Sequence, residues 1–280
     1  MSLKNTIILL NRPEKHFLES YYYRKVKAGI DAALTGTEYS LLVAQQDGNL
    51  PDDVTDGGLD NSGVLAIAPH VHNPSIAMLE KSNIPAVLVN CRSEHIAWVD
   101  TDNVLGAATM TEYLISLGHK KIVLVNGFPD SQNGIDRLKG YRQALEKHDI
   151  EFNTKMIINC DFSVTLSYER MKAFLLQNKS TDFTAVFSTN DYMAVGIIRA
   201  LTDEKVKVPE NVAVVGFDDL DFASSFYVPL TTYRQPFDNL GFLATKFLMK
   251  QMRGKTDKNL QAELLGELVV RDSCGAKLKK

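Results

Sequence analysis

Apolar and polar positions follow two rhythms along this chain. Short, largely β-branched runs bounded by turn residues recur as TIILL (6–10), SLLVA (40–44), GVLAIA (63–68), AVLVN (86–90), KIVLVN (121–126), MIIN (156–159), TAVFS (184–188) and VAVVGF (212–217). Near-continuous apolar runs of that length predict strands buried on both faces of a parallel sheet. Between them the apolar positions take the 3.6-residue period of helices packed by one face. Val26, Ile30, Ala33 and Leu34 share such a face, as do Ala107, Met110, Leu114 and Leu117. Ala194, Ile197, Ile198 and Leu201 form a third, and Leu240, Ala244, Phe247 and Leu248 a fourth. Gly118 stands where a left-handed helix cap is wanted, and Pro209 follows the third helix. The β-α order runs through twice, which predicts an α/β protein of two doubly wound units.

The division between the units is expected near LGHKK (117–121), where a capped helix hands over to a new strand. No flexible or charged linker lies there, so the lobes should be closely coupled. The pattern alone does not assign the helix at 237–253 to either unit; GELVV (266–270) reads as a final strand. The polar segment from 45 to 62 predicts a loop or at most a short helix.

Composition narrows the function classes. The 280 residues are 45% hydrophobic and 23% charged, enough for a sizeable core. A formal net charge of −3 implies no broad basic surface, so the chain by itself is a poor nucleic-acid binder. Three widely spaced cysteines, Cys91, Cys160 and Cys274, make no C-x-x-C pair and no disulfide framework, which fits a reducing, cytoplasmic setting. The first residues hold no signal-peptide h-region, and no run approaches the roughly 18 apolar residues of a membrane span. The opening MSL, leading at once into strand-like residues, suggests that a native N-terminal segment precedes the chain.

In open parallel sheets ligands sit beyond the carboxyl ends of the strands. Those positions are rich in Asn and Asp here, including Asn90, Asp102, Asn126, Asn190 and Asp218. Such residues also serve as ordinary helix N-caps. Asp191 and Asp221 are the natural caps by position, which leaves Asn190 and Asp218, nearer their strands, to face a cleft. Asp219 and Asp221 are expected to shape the turn after residue 217 and to cap the next helix.

Catalytic chemistries find no support. Adjacent Asp218 and Asp219 point apart and make a poor acid–base dyad. No G-x-S-x-G surrounds a serine, and RGKT (253–256) lacks the glycine and strand of a phosphate loop. His70 and His72 lack a third metal ligand. The tyrosines at 21–23 read first as core. No cofactor, metal or catalytic residue is expected.

Five segments carry a resemblance: VDTDNVLGAATMTEYLISLGHKKIVLVNG (99–127), DRLKGYRQAL (136–145), AVFSTNDYMAVGIIRAL (185–201), VPENVAVVGFDDLDFASSFYVPLTTYRQP (208–236) and GELVVRDSCG (266–275). In order and spacing they are similar to the signatures of the lactose-repressor (LacI/GalR) family of bacterial transcription regulators. The resemblance implies a periplasmic-binding-protein type I fold of two Rossmann-like subdomains joined by three crossovers near 119, 235 and 258. The N-terminal subdomain would then hold 4–119 and 236–257, and the C-terminal one 120–235 and 258–276. A small effector would sit between the lobes, and ligand binding would modulate operator-DNA binding by a helix-turn-helix domain absent from this chain. A homodimer without membrane attachment is implied. Two departures stand out in the first lobe: SYYY (20–23) replaces the family's usual NPFF, and the region after the second strand is short.

Carried over residue by residue, Arg137 matches the family's effector-binding arginine, Asn190 the cleft asparagine, Asp218 the cleft aspartate and Phe162 an aromatic wall. Asn133 is a further match, with Tyr22 and Asp102 as first-lobe contacts. The set makes chemical sense: Arg137 only donates, Asp218 only accepts, Asn190 does both and Phe162 offers an apolar face. A carboxylate accepts two hydroxyl donors, so a sugar or sugar derivative leads as effector class. A sugar phosphate or a purine stays open through Arg137. The competing readings are an extracytoplasmic sugar-binding protein and, further off, an enzyme.

Overall fold

The computed structural model describes residues 5–11, 20–45, 62–69, 73–178, 183–254 and 260–279. The polar 46–61 stretch, His70, His72 and the expected crossover at 258 lie outside the described residues. The chain divides into two compact units, residues 1–101 with 236–264 and residues 102–235 with 265–280.

The first unit contains strands β1 (Thr6–Asn11), β2 (Ser40–Gln45), β3 (Gly63–Ile67), β4 (Ala86–Val89), β5 (Ala97–Thr101) and β11 (Gln261–Leu264). They form one wholly parallel sheet in the order β11-β5-β4-β3-β1-β2. One face is covered by helices α1 (Tyr21–Leu34) and α7 (Phe237–Met252), whose apolar sides close a core with Ile7, Leu9, Leu65 and Val87. On the other face Ile76 and Leu79 of α2 (Pro74–Lys81) pack against Ile8, Val64 and Leu88. The α1–α7 crossing is close enough that a Cβ on Gly29 would lie 1.8 Å from the Asp238 carbonyl oxygen.

The second unit contains strands β6 (Ile122–Asn126), β7 (Ile157–Asn159), β8 (Ala185–Ser188), β9 (Ala213–Val215), β10 (Thr232–Arg234) and β12 (Glu267–Val269). Four of them make a parallel sheet, β7-β6-β8-β9, and the other two an antiparallel ribbon, β10-β12. Its helices are α3 (Asn103–Ser116), α4 (Gln132–Lys147), α5 (Val164–Gln177) and α6 (Asp191–Asp203). Gly118 takes φ 87° after α3, and its amide donates to Ile115 O, closing the helix as its position predicts.

The boundaries differ from the expected ones. The first unit ends at Thr101 rather than near 119, because the apolar face of α3 (Ala107, Met110, Leu114) packs with Ile122, Leu124 and Tyr141. The later boundaries fall at Gln235/Pro236 and Leu264/Leu265. Three short strands lie outside the expected runs: β10 and β11 carry few apolar residues in a row, whereas β5 coincides with the apolar stretch IAWV (96–99), which is as long as some of those expected.

Candidate functional site

The second unit gathers polar side chains at the carboxyl ends of its strands. Arg137 lies one turn into α4 and is almost wholly buried, at 2% exposure. Its Nε donates to Asn103 Oδ1 at 2.9 Å and its Nη1 to Thr189 O at 2.5 Å. The guanidinium stacks on the Phe217 ring, 4.0 Å from its centroid, and Nη1 is 3.9 Å from Asp218 Oδ1. Asn103 in turn donates to Asn133 Oδ1 at 3.3 Å. Asn133 is therefore a relay partner of the arginine. Asn126, also buried, donates to Gly134 O and accepts from Thr189 Oγ1.

Asp218 sits in a backbone turn with φ 124°, followed by Asp219 at φ 56°. Both values fall where non-glycine residues are strained. The turn is held by the Asp218 amide donating to Tyr233 O and the Gly216 amide donating to Thr231 O. Gln235 Nε2 donates to Asp218 Oδ1 at 2.6 Å. Gln235 Oε1 is buried and has no hydrogen-bond partner among the described residues. Burial pushes the Asp218 carboxyl up to about 6, against the opposing pull of Arg137 and the Gln235 bond.

The capping roles differ from those expected from the sequence. Asn190, not Asp191, is the N-cap of α6, its Oδ1 accepting from the Met193 amide at 2.8 Å. Asp191 is fully buried and accepts from the Leu220 amide and from Thr232 Oγ1. Nor does Asp219 cap a helix: it pairs with Arg234 Nε at 2.6 Å and Arg271 Nη2 at 2.7 Å. Asp221 begins a short 3₁₀ turn, Asp221–Ser224, that has no side-chain cap.

Phe162 comes directly after Asp161 with φ 57°, and its ring lies over Gly127, where a Cβ would come within 2.1 Å of it. Phe128 meets it edge-on at 5.8 Å. Asp102 belongs to this second unit and not to the first, and it caps α3 by accepting from the Leu105 amide. In the first unit, Tyr22 donates its hydroxyl to Asn90 Oδ1 at 2.9 Å and packs edge-on against Phe237 at 5.1 Å. Arg137 and Asp218 are thus brought together with Asn103, a strand-end residue, and with Phe217 and Gln235, which the sequence pattern does not single out; Asn190 directly follows Thr189, whose carbonyl accepts from Arg137. Gln235 ends the LTTYRQ segment, and its one sequence signal is nearness to a crossover.

Among the described residues no group of three or more His, Cys, Asp or Glu side chains could hold a metal ion. No described helix is long and apolar enough to cross a membrane.

Two doubly wound parallel units with polar strand ends define a periplasmic-binding-protein-like ligand-binding core. Residues 111–274 match the family model for the periplasmic binding protein-like domain. The regulator CelR of Thermobifida fusca is 28% identical over 274 residues, covering 95% of this chain and 80% of its own. The ribose operon repressor of Escherichia coli K12 is 28% identical over 261 residues, covering 90% and 78%. A solved CelR–cellobiose complex superposes with a TM-score of 0.86 at 28% identity, over 97% of this chain and 85% of that one. The chain belongs to the periplasmic-binding-protein-like family and is the effector-binding core of a LacI/GalR-type transcription regulator.

Proposed function

We propose that this core binds a neutral sugar through Arg137, Asn190, Asp218, Phe162 and Asn133 of the second unit. Asp102, spent on capping α3, is a weaker contact than its position suggests. The observation that carries the reading is the acceptor pair formed by Asp218 and Gln235. Gln235 commits its amide nitrogen to Asp218 and leaves a buried carbonyl oxygen without a donor among the described residues. A buried acceptor of that kind costs about 1–3 kcal/mol until something donates to it. Neighbouring hydroxyls of a pyranose or furanose supply such donors. A phosphate supplies acceptors, and Arg137 already directs Nε and Nη1 to protein oxygens and its face to Phe217.

The cellobiose bound in the similar CelR structure and the name of the ribose operon repressor support the same class. The protein acts by binding and not by turnover, as a cytoplasmic homodimer whose occupancy alters operator binding by an N-terminal DNA reader. An uptake receptor is not favoured, since the relatives are transcription regulators.

A thermal-shift panel of neutral sugars, sugar phosphates and purine bases tests the reading. Cellobiose, D-ribose or a related neutral sugar should raise the melting temperature, with a stoichiometry of one per chain by calorimetry. A response confined to phosphorylated sugars or purines would overturn the neutral-sugar assignment. Light scattering at micromolar concentration tests the dimer.

A further inference from the structure

Asp191 touches none of the surfaces assigned above to the effector, yet its carboxylate is the strut under the turn that carries Asp218. Three contacts establish this. Oδ2 accepts the Leu220 amide at 2.9 Å, which ties down the far end of the turn. Oδ1 accepts the Thr232 hydroxyl at 2.7 Å, which joins the turn to β10. At the near end Gly216 passes so close that a Cβ there would lie 2.1 Å from Asp191 Oδ1. The residue directly before it, Asn190, is itself a proposed effector contact and caps α6.

We propose that Asp191 is a positioning residue of the effector site, fixing the turn Gly216–Leu220 so that Asp218 is held at a set distance from Asn190. The proposal rests on the site assigned to Asp218 and adds to it a residue that acts without touching ligand. Two consecutive left-handed residues, Asp218 and Asp219, are each held in a strained backbone region and persist only if their surroundings over-determine them. Asp191 supplies that constraint from inside the unit, and Asp219, bound by Arg234 and Arg271, supplies it from the outer side. The environment is unusual for a strut. Burial and the carboxylates of Asp218 and Asp219 raise the Asp191 carboxyl well above the ordinary range, opposed by its two hydrogen bonds. The Arg137 cation lies against Asp218, and those of Arg234 and Arg271 against Asp219.

The test has a ligand-free arm and a ligand arm. In Asp191→Ala, hydrogen exchange at the Leu220 amide should accelerate at least about tenfold relative to amides in β6 and β8, whereas Asp191→Asn, which keeps one acceptor oxygen, should retain most of the protection. Unchanged Leu220 protection in the alanine variant would overturn the proposal. If Asp191→Ala does not fold, Thr232→Val removes one tether with little change in shape and should accelerate the same amide.

In calorimetry with cellobiose and D-ribose, Asp191→Ala should weaken binding about ten- to a hundredfold, and should add little on an Asp218→Ala background. Equal losses on both backgrounds would show general loosening and sink the positioning role. If the wild type binds neither of these two sugars, Leu220 exchange alone decides for or against Asp191, and the neutral-sugar reading stands or falls with the thermal-shift panel.

Discussion

Arg137 lies over Phe217, its guanidinium carbon 4.0 Å from the ring centroid, while its Nε and Nη1 donate to Asn103 Oδ1 and Thr189 O. The ring packs against the cation and the two oxygens orient its fork. A lysine reproduces the charge but neither the stacking nor the forked donation. Arg137→Lys should therefore leave the Thr189 carbonyl or Asn103 Oδ1 short of a donor and destabilise the second unit by about 2–4 kcal/mol. Chemical denaturation measures this; a change below about 0.5 kcal/mol would mean that the arginine is held by ligand and not by its own unit.

Asp218 has a pH signature. Its folded-state value of about 6 lies above the 3.8 of an ordinary aspartate. The folded protein thus holds a proton that the unfolded chain has already lost, and stability falls as pH rises from about 4 to about 6. Above that window the ionised group costs up to about 3 kcal/mol, since each pH unit between the two values is worth about 1.4 kcal/mol. Asp218→Asn should raise the melting temperature by several degrees at pH 7.5 and by much less near pH 4. It should also abolish tight sugar binding, because the carboxylate is the acceptor the ligand hydroxyls need. In the wild type, affinity should decline as pH drops below about 6; a flat affinity profile between about pH 5 and 8 would exclude Asp218 as that acceptor.

How far the sequence reveals this protein depends on how local each signal is. Helix faces and long buried strands are legible because burial on one side imposes a period, as with Ala194, Ile197, Ile198 and Leu201, all buried in the structure. Arg137 and Asp218 stand out by their place in motifs, and the structure sets them 3.9 Å apart. The cap of α6 is ambiguous by one residue because Asn190 and Asp191 are both good capping types, and only the tertiary pull of Leu220 and Thr232 on Asp191 decides between them. The unit that holds Asp102 is hidden for a similar reason. The apolar face of α3 shows that the helix is buried but does not say against which sheet.

Asn190 separates capping from recognition. Asn190→Asp keeps an oxygen for the Met193 amide and puts a negative charge at a helix N-terminus, so the helix should be unaffected to within about 0.5 kcal/mol. It loses the amide donor, and a ligand oxygen that accepted from it would then meet a carboxylate. Sugar affinity should fall by about tenfold or more while the melting temperature holds. Asn190→Ala should lose about 1 kcal/mol of stability as well. A drop in stability equal in both variants, with affinity unchanged, would leave Asn190 as a cap alone.

The packing of α3 into the second unit makes the last prediction. Gly140 of α4 lies against the backbone of α3, and a Cβ on it would stand 2.1 Å from Val104 O and 2.9 Å from the Ala107 Cβ. The first obstacle is backbone, which has no rotamer to escape into, so Gly140→Ala must push the helices apart. The intrinsic gain of alanine over glycine in a helix, about 1 kcal/mol, works the other way. Overpacking of a close helix crossing costs roughly 1–3 kcal/mol and here forces a backbone shift as well. A net loss of about 1–2 kcal/mol is therefore expected in urea denaturation. The shift would reach the site, because Asn103 opens α3 and holds Arg137 Nε, so Gly140→Ala should weaken sugar binding from a position with no ligand contact. A variant as stable as wild type would show that the α3–α4 crossing is looser than this geometry and that α3 is not fixed to the second unit.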